Sequence, residues 1–200
     1  MGNFDAVIFD WSGTLVHDPP LRDRVADTFI RLGRPDSGAI DEVCAALERS
    51  ASDPDIVAAQ TGVDTSREVY DAAESLHFHR AGLDEDLAAA LLRFDEYPES
   101  RPIYPDAVPV LAQLASLGCC VIVLSDIHFD IRPLLAVQGA GQYIDDYVLS
   151  FEHGVQKPDP KIFELALQRW TGAGPSWSGI ARRTTERQPR SASRHCCSRH

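Results

Sequence analysis

Three side chains in this sequence have the chemistry of a reaction centre if the fold brings them together. They are the carboxylate of Asp10 in "AVIFDWSGT", the hydroxyl of Ser125 in "VIVLSD" and the ammonium of Lys157 in "HGVQKPDP". A carboxylate can attack phosphorus, a hydroxyl with neighbouring backbone N–H groups can hold an anionic oxygen, and a fixed ammonium can offset the charge. Taken singly, they read as a turn aspartate, a turn serine and a solvated loop lysine. Asp10 and Ser125 gain weight because each closes a short apolar run, at the edge where open α/β sheets bind ligands. Pro158 restricts the backbone at Lys157, and a helix begins almost at once.

The elements that would position them follow from pattern. "AVIF" (Ala6 to Phe9) and "CCVIVLS" (Cys119 to Ser125) read as strands buried on both faces, and "YVLSF" (Tyr147 to Phe151) as a third. Val108, Leu111, Leu114 and Leu117 recur at helical spacing ahead of Gly118, a suitable C-terminal cap. Asp159 and Pro160 suit the start of a helix running to Trp170. Between the first two strands lie helical patterns only: "LRDRVADTFIRLG", "AIDEVCAALERS", "SREVYDAAESLHFHRAG" and "DEDLAAALLRF", with "YPESRPIYPD" as the returning hinge.

In order and spacing, "VIFDWSGTL", "VIVLSD" and "GVQKPDPKIF" resemble the first three motifs of the haloacid dehalogenase-like (HAD) hydrolase superfamily, and the helical stretch sits where that family inserts its C1-type cap. The resemblance implies a three-layer, Rossmann-like parallel α/β sheet with an inserted helical cap, truncated at its C-terminus. Residues 1–19 and 101–170 would form the core, 20–100 the cap and 171–200 an aberrant basic tail. It also implies that Asp10 is the nucleophile, forming an aspartyl-phosphate, and that Lys157 neutralises charge. Ser125 and Asp126 would bind phosphate, and Gly13 and Thr14 would shape the loop over the site. Mg2+ would be held by Asp10 and the Ser12 backbone carbonyl.

The sequence departs from that pattern twice. The family's phosphatases carry a second Asp two residues after the nucleophile, where this chain has Ser12, which has no comparable titration near neutral pH. The dehalogenases carry a Tyr there and phosphonoacetaldehyde hydrolases an Ala in "DWAGT", so carbon–halogen or carbon–phosphorus hydrolysis stands as the alternative chemistry. The fourth motif, which supplies further acids to Mg2+, has no counterpart after Trp170. Without it, metal affinity and activity are expected to be impaired.

In its place stands "GPSWSGIARRTTERQPRSASRHCCSRH", where six arginines face the single acid Glu186 in a chain of formal net charge -11. Written as codons and shifted by one base, this tail permits Gly-Asp, then four residues, then Asp, which is the missing motif. A frameshifted C-terminus is therefore expected ahead of a nucleic-acid-binding arm, for which aromatic residues beyond Trp177 are lacking.

The remaining composition narrows the function class. Five cysteines with no C-x-x-C exclude a zinc ribbon or disulfide framework, no apolar run reaches membrane-spanning length, and no secretory signal opens the chain. The expectation is a cytoplasmic hydrolase acting on a small phosphorylated metabolite, with no nucleic-acid or membrane partner; the rival is a non-catalytic binding protein.

Overall fold

The structure, a computed structural model, describes residues 5–171. The expected basic tail lies almost wholly outside these described residues. Three parallel strands, β1 (Ala6–Phe9), β2 (Cys120–Ser125) and β3 (Asp146–Leu149), form a sheet in the order β1-β2-β3. Register pairs Phe9 with Val123 and Ser125 with Leu149, so Asp10 and Ser125 leave the sheet at its carboxyl edge.

Every residue of β2 is buried, and its side chains divide between two layers. Cys120, Ile122 and Leu124 pack with Val148 against Ile162 and Ala166 of one helix (Pro160–Thr171). Val121 and Val123 pack on the opposite face with Leu111, Leu134 and Leu135. Helices thus cover both faces, as a continuous apolar strand requires.

The expected strand boundaries shift slightly. Cys119 does not enter β2, because its N–H caps the preceding helix on the Leu114 carbonyl at 3.1 Å. The third strand stops at Leu149, not Phe151. Ser150 begins a four-residue helix, where its buried hydroxyl accepts the Ile127 N–H at 2.8 Å.

In chain order the helices are α1 (Leu21–Arg31), α2 (Ser37–Ser50), α3 (Pro54–Ala59), α4 (Arg67–Arg80), α5 (Glu85–Leu92), α6 (Ala107–Leu117), α7 (Arg132–Val137), α8 (Ser150–His153) and α9 (Pro160–Thr171). Helices α3 and α7 were not foreseen; six residues each are too short for a periodic signal. Helices α1 to α5 stand between β1 and α6, and Val25, Phe29, Leu47, Phe78, Leu87 and Leu91 give them a hydrophobic cluster of their own.

The chain enters and leaves this helical segment through two adjoining passages. His17 N–H reaches the Pro102 carbonyl and Tyr104 N–H the Leu15 carbonyl, both at 2.9 Å, so the outgoing and returning backbones are zipped together. No helix among the described residues is long and apolar enough to cross a membrane.

Candidate active site

The turn after β1 delivers Asp10. The Trp11 carbonyl accepts from Leu15 N–H at 2.9 Å, and Gly13 adopts a φ of 69° while its N–H reaches the Val16 carbonyl at 2.9 Å. That left-handed conformation suits glycine and would strain a side-chain-bearing residue.

Asp10 Oδ1 accepts the Trp11 N–H at 2.8 Å, and Oδ2 meets Lys157 Nζ at 2.9 Å. Two of the three residues foreseen as a constellation, 147 positions apart in sequence, are therefore in direct contact. The Asp10 side chain is 43% exposed, open enough for a substrate to approach.

Ser125 ends β2 fully buried, and its hydroxyl donates to the Asp126 carbonyl at 3.3 Å. Asp126 Oδ1 accepts the backbone N–H of Lys157 at 2.9 Å. The acid that looked like a handicap beside Ser125 thus fastens the lysine loop to the β2 edge. Burial, the largest influence, raises the Asp126 carboxyl above its ordinary value, and the charges of Asp64 and Asp10 add to this; the Lys157 N–H and ammonium pull the other way.

Ser12 is held by an arginine that sequence reasoning passed over. Arg101, in the returning passage, donates from Nη1 to Ser12 Oγ at 2.8 Å and to Asp18 at 2.7 Å, and from Nε to Asp95 at 2.9 Å. Arg24 of α1 meets the other Asp95 oxygen at 3.2 Å. Burial alone would raise the Asp95 carboxyl, yet the two guanidiniums outweigh it and hold it below the usual carboxylate range. A charged residue between prolines was the one available sign of Arg101; its partners are separated from it by up to 89 positions.

A second unforeseen group, His128, is buried just beyond Asp126. Its ring stacks on Tyr70 of α4 with centroids 3.2 Å apart, and its Nδ1 lies 3.3 Å from Asp64. The Asp64 backbone is bound on both sides: its N–H donates to Gln156 at 3.1 Å and its carbonyl accepts from Ser150 Oγ at 2.6 Å. These contacts tie the helical segment to the loops that carry Ser125 and Lys157.

A cavity of about 690 Å³ lies between α1 to α5 and the sheet edge, with Trp11, Ser12 and Asp126 in its wall. The described residues do not by themselves fit magnesium. Both Asp10 oxygens and Asp126 Oδ1 already have partners, and no group of three acidic, histidine or cysteine side chains among these residues is placed to hold a metal ion.

Comparison with known proteins places these observations in a wider set. A family model described as haloacid dehalogenase-like hydrolase matches residues 4–176. The structure of the L-2-haloacid dehalogenase from Xanthobacter autotrophicus is 25% identical, with a TM-score of 0.57 over 87% of this chain and 67% of that one. Another dehalogenase structure aligns at 21% identity and the same TM-score of 0.57, covering 88% of this chain and 75% of its own. A phosphatase from Thermococcus onnurineus aligns at 23% identity over 82% of this chain and 70% of its own, with a TM-score of 0.49. No curated protein matches the chain.

Proposed function

Because the chain belongs to the haloacid dehalogenase-like hydrolase family, we propose that it is built to hydrolyse a small phosphorylated metabolite with Asp10 as the nucleophile. The observation that carries this reading is the 2.9 Å contact between Lys157 Nζ and Asp10 Oδ2 at the carboxyl edge of the sheet. An Asp10 oxygen attacks phosphorus, the bond to the leaving oxygen breaks, and an aspartyl-phosphate forms. Lys157 offsets the negative charge gathered there, Ser125 and the adjoining backbone hold the phosphoryl oxygens, and water then attacks phosphorus to release phosphate and restore Asp10. Residues 20–100 act as the cap that covers the site, and residues 1–19 and 101–170 as the core.

Ser12 cannot supply a proton as a carboxylic acid would, and its bond to Arg101 fixes it in place. That favours leaving groups needing no proton, which supports a second reading in which a 2-haloacid is attacked at carbon and halide departs. Mg2+ is proposed as the cofactor of the phosphate reading. It would be bound by Asp10, the Ser12 carbonyl and the acids that the shifted reading frame places after residue 178. The family match ending at residue 176, where that frame would begin to differ, supports an altered C-terminus.

One experiment joins these points. The coding DNA around Leu165 to Trp177 is resequenced, and the chain is assayed in the present and the restored frame with an aryl phosphate and a 2-chloro acid. We expect weak turnover in the present frame, a gain of at least tenfold with Mg2+ in the restored one, and loss of turnover on Asp10→Asn in both. Robust Mg2+-dependent turnover by the present chain would overturn the impairment, and hydrolysis surviving Asp10→Asn would overturn the nucleophile.

A further inference from the structure

The cavity above the sheet edge also says what kind of molecule it accepts. Its wall on the helical side is made of Leu47, Ile56, Val63, Tyr70, Phe78 and Leu91, drawn from four elements that converge on one space. Five of these six side chains are buried, Val63 being the partly open one. Pockets of about 300–1,000 Å³ hold molecules much larger than a two- or three-carbon acid. At about 690 Å³ this one falls in that range.

The polar side chains that share the wall are largely occupied with one another. Arg24 and Arg101 both meet Asp95. Gln60 donates to Glu74 at 2.8 Å, His77 meets the Leu47 carbonyl at 3.0 Å, and His128 faces Asp64. The two guanidiniums are thus committed to carboxylates. Glu48, Asp64 and Glu74 add negative charge on the helical side. A second anionic group on the ligand would meet repulsion there, whereas an apolar group would exchange water for a hydrocarbon wall.

We propose that this cavity holds the body of the substrate, and that this body is neutral, apolar and at least as large as an aryl ring, attached to the single anionic group that reacts at Asp10. The proposal rests on the reading of Asp10 as the attacking group, since Ser12 and Asp126 in the cavity wall flank that residue's edge. A substrate with charge at both ends is excluded on the same grounds.

The test uses the full chain and non-hydrolysable probes in calorimetric titrations. Methylphosphonate, benzylphosphonate and para-carboxybenzylphosphonate form one series; acetate, phenylacetate and para-carboxyphenylacetate form the other. In the series whose head group is accepted, the benzyl probe binds about tenfold or more tighter than the methyl one, and the added carboxylate reverses most of that gain. Ala51→Phe, at the exposed rim of the cavity, brings the benzyl-to-methyl ratio towards one while the melting temperature stays unchanged.

Equal binding of methyl and benzyl probes in both series, absence of binding by every aryl probe, or undiminished binding of the para-carboxy probes overturns the proposal. Aryl probes binding as expected while hydrolysis survives Asp10→Asn would remove the nucleophile and leave the cavity assignment standing. Asp10-dependent hydrolysis confined to methyl-sized substrates would do the reverse.

Discussion

Asp95 is a single buried carboxylate that serves two arginines, and its acid–base behaviour gives the arrangement a measurable signature. Its folded-state value lies below its unfolded one. The stability it contributes is therefore fully present above the ordinary carboxylate range and is lost as pH falls through the depressed folded value. Asp95→Asn leaves Arg101 and Arg24 without their counter-charge, and is expected to lower stability by about 3–5 kcal/mol at neutral pH. Thermal melts of both proteins should converge as pH falls below about 4, because the protonated acid and the amide are then equivalent in charge. A gap independent of pH would remove the ion pair as the cause. Asp10 and Lys157 were legible in the sequence because each stands beside a strand or helix start that local pattern reveals. Asp95, Arg101 and His128 were not, since their contacts join segments far apart in the chain, and no local rule encodes such pairings.

Among the elements, α8 and the short 3-10 turn at Val63–Thr65 meet through Ser150. Its hydroxyl accepts the Ile127 N–H and donates to the Asp64 carbonyl, so it serves the β2 loop and the helical segment at once. Ser150→Ala removes that hydroxyl and leaves both backbone groups without it, at a cost of about 1–3 kcal/mol. Hydrogen exchange should accelerate around residues 60–66 more than in β2; a uniform acceleration would mean that Ser150 supports the whole fold and not this junction. The elements themselves were largely visible beforehand. β1 and four of the helices follow from apolar runs and 3.6-residue spacing, and Gly118 ends α6 in the left-handed conformation foreseen for it. The third strand was drawn two residues too long because "YVLSF" is apolar throughout, and the serine that ends it acts through a tertiary hydrogen bond.

For the whole molecule, the sheet's open side matters most. Among the described residues β1 pairs only with β2, and Ile8 on it is 41% exposed. An apolar edge strand is a template for pairing with another chain. Size-exclusion chromatography with light scattering should show concentration-dependent association of the full chain, reduced by Ile8→Lys; an unchanged profile would point to another surface. The three-layer arrangement itself was readable from the sequence because a strand apolar on both sides demands cover on both sides. Its continuation beyond α9 was not, since the expected acids and apolar run are missing from the printed residues. Arg101 finally binds the molecule in a way that bears on its history. It answers to Ser12 and Asp18 on the outgoing passage and to Asp95 at the far end of the helical segment. A helical segment borrowed from a relative would arrive without that acid and strand a buried cation against Trp11. The two halves are no longer interchangeable parts: they must evolve as a matched pair, with every change at Asp95 answered at Arg101.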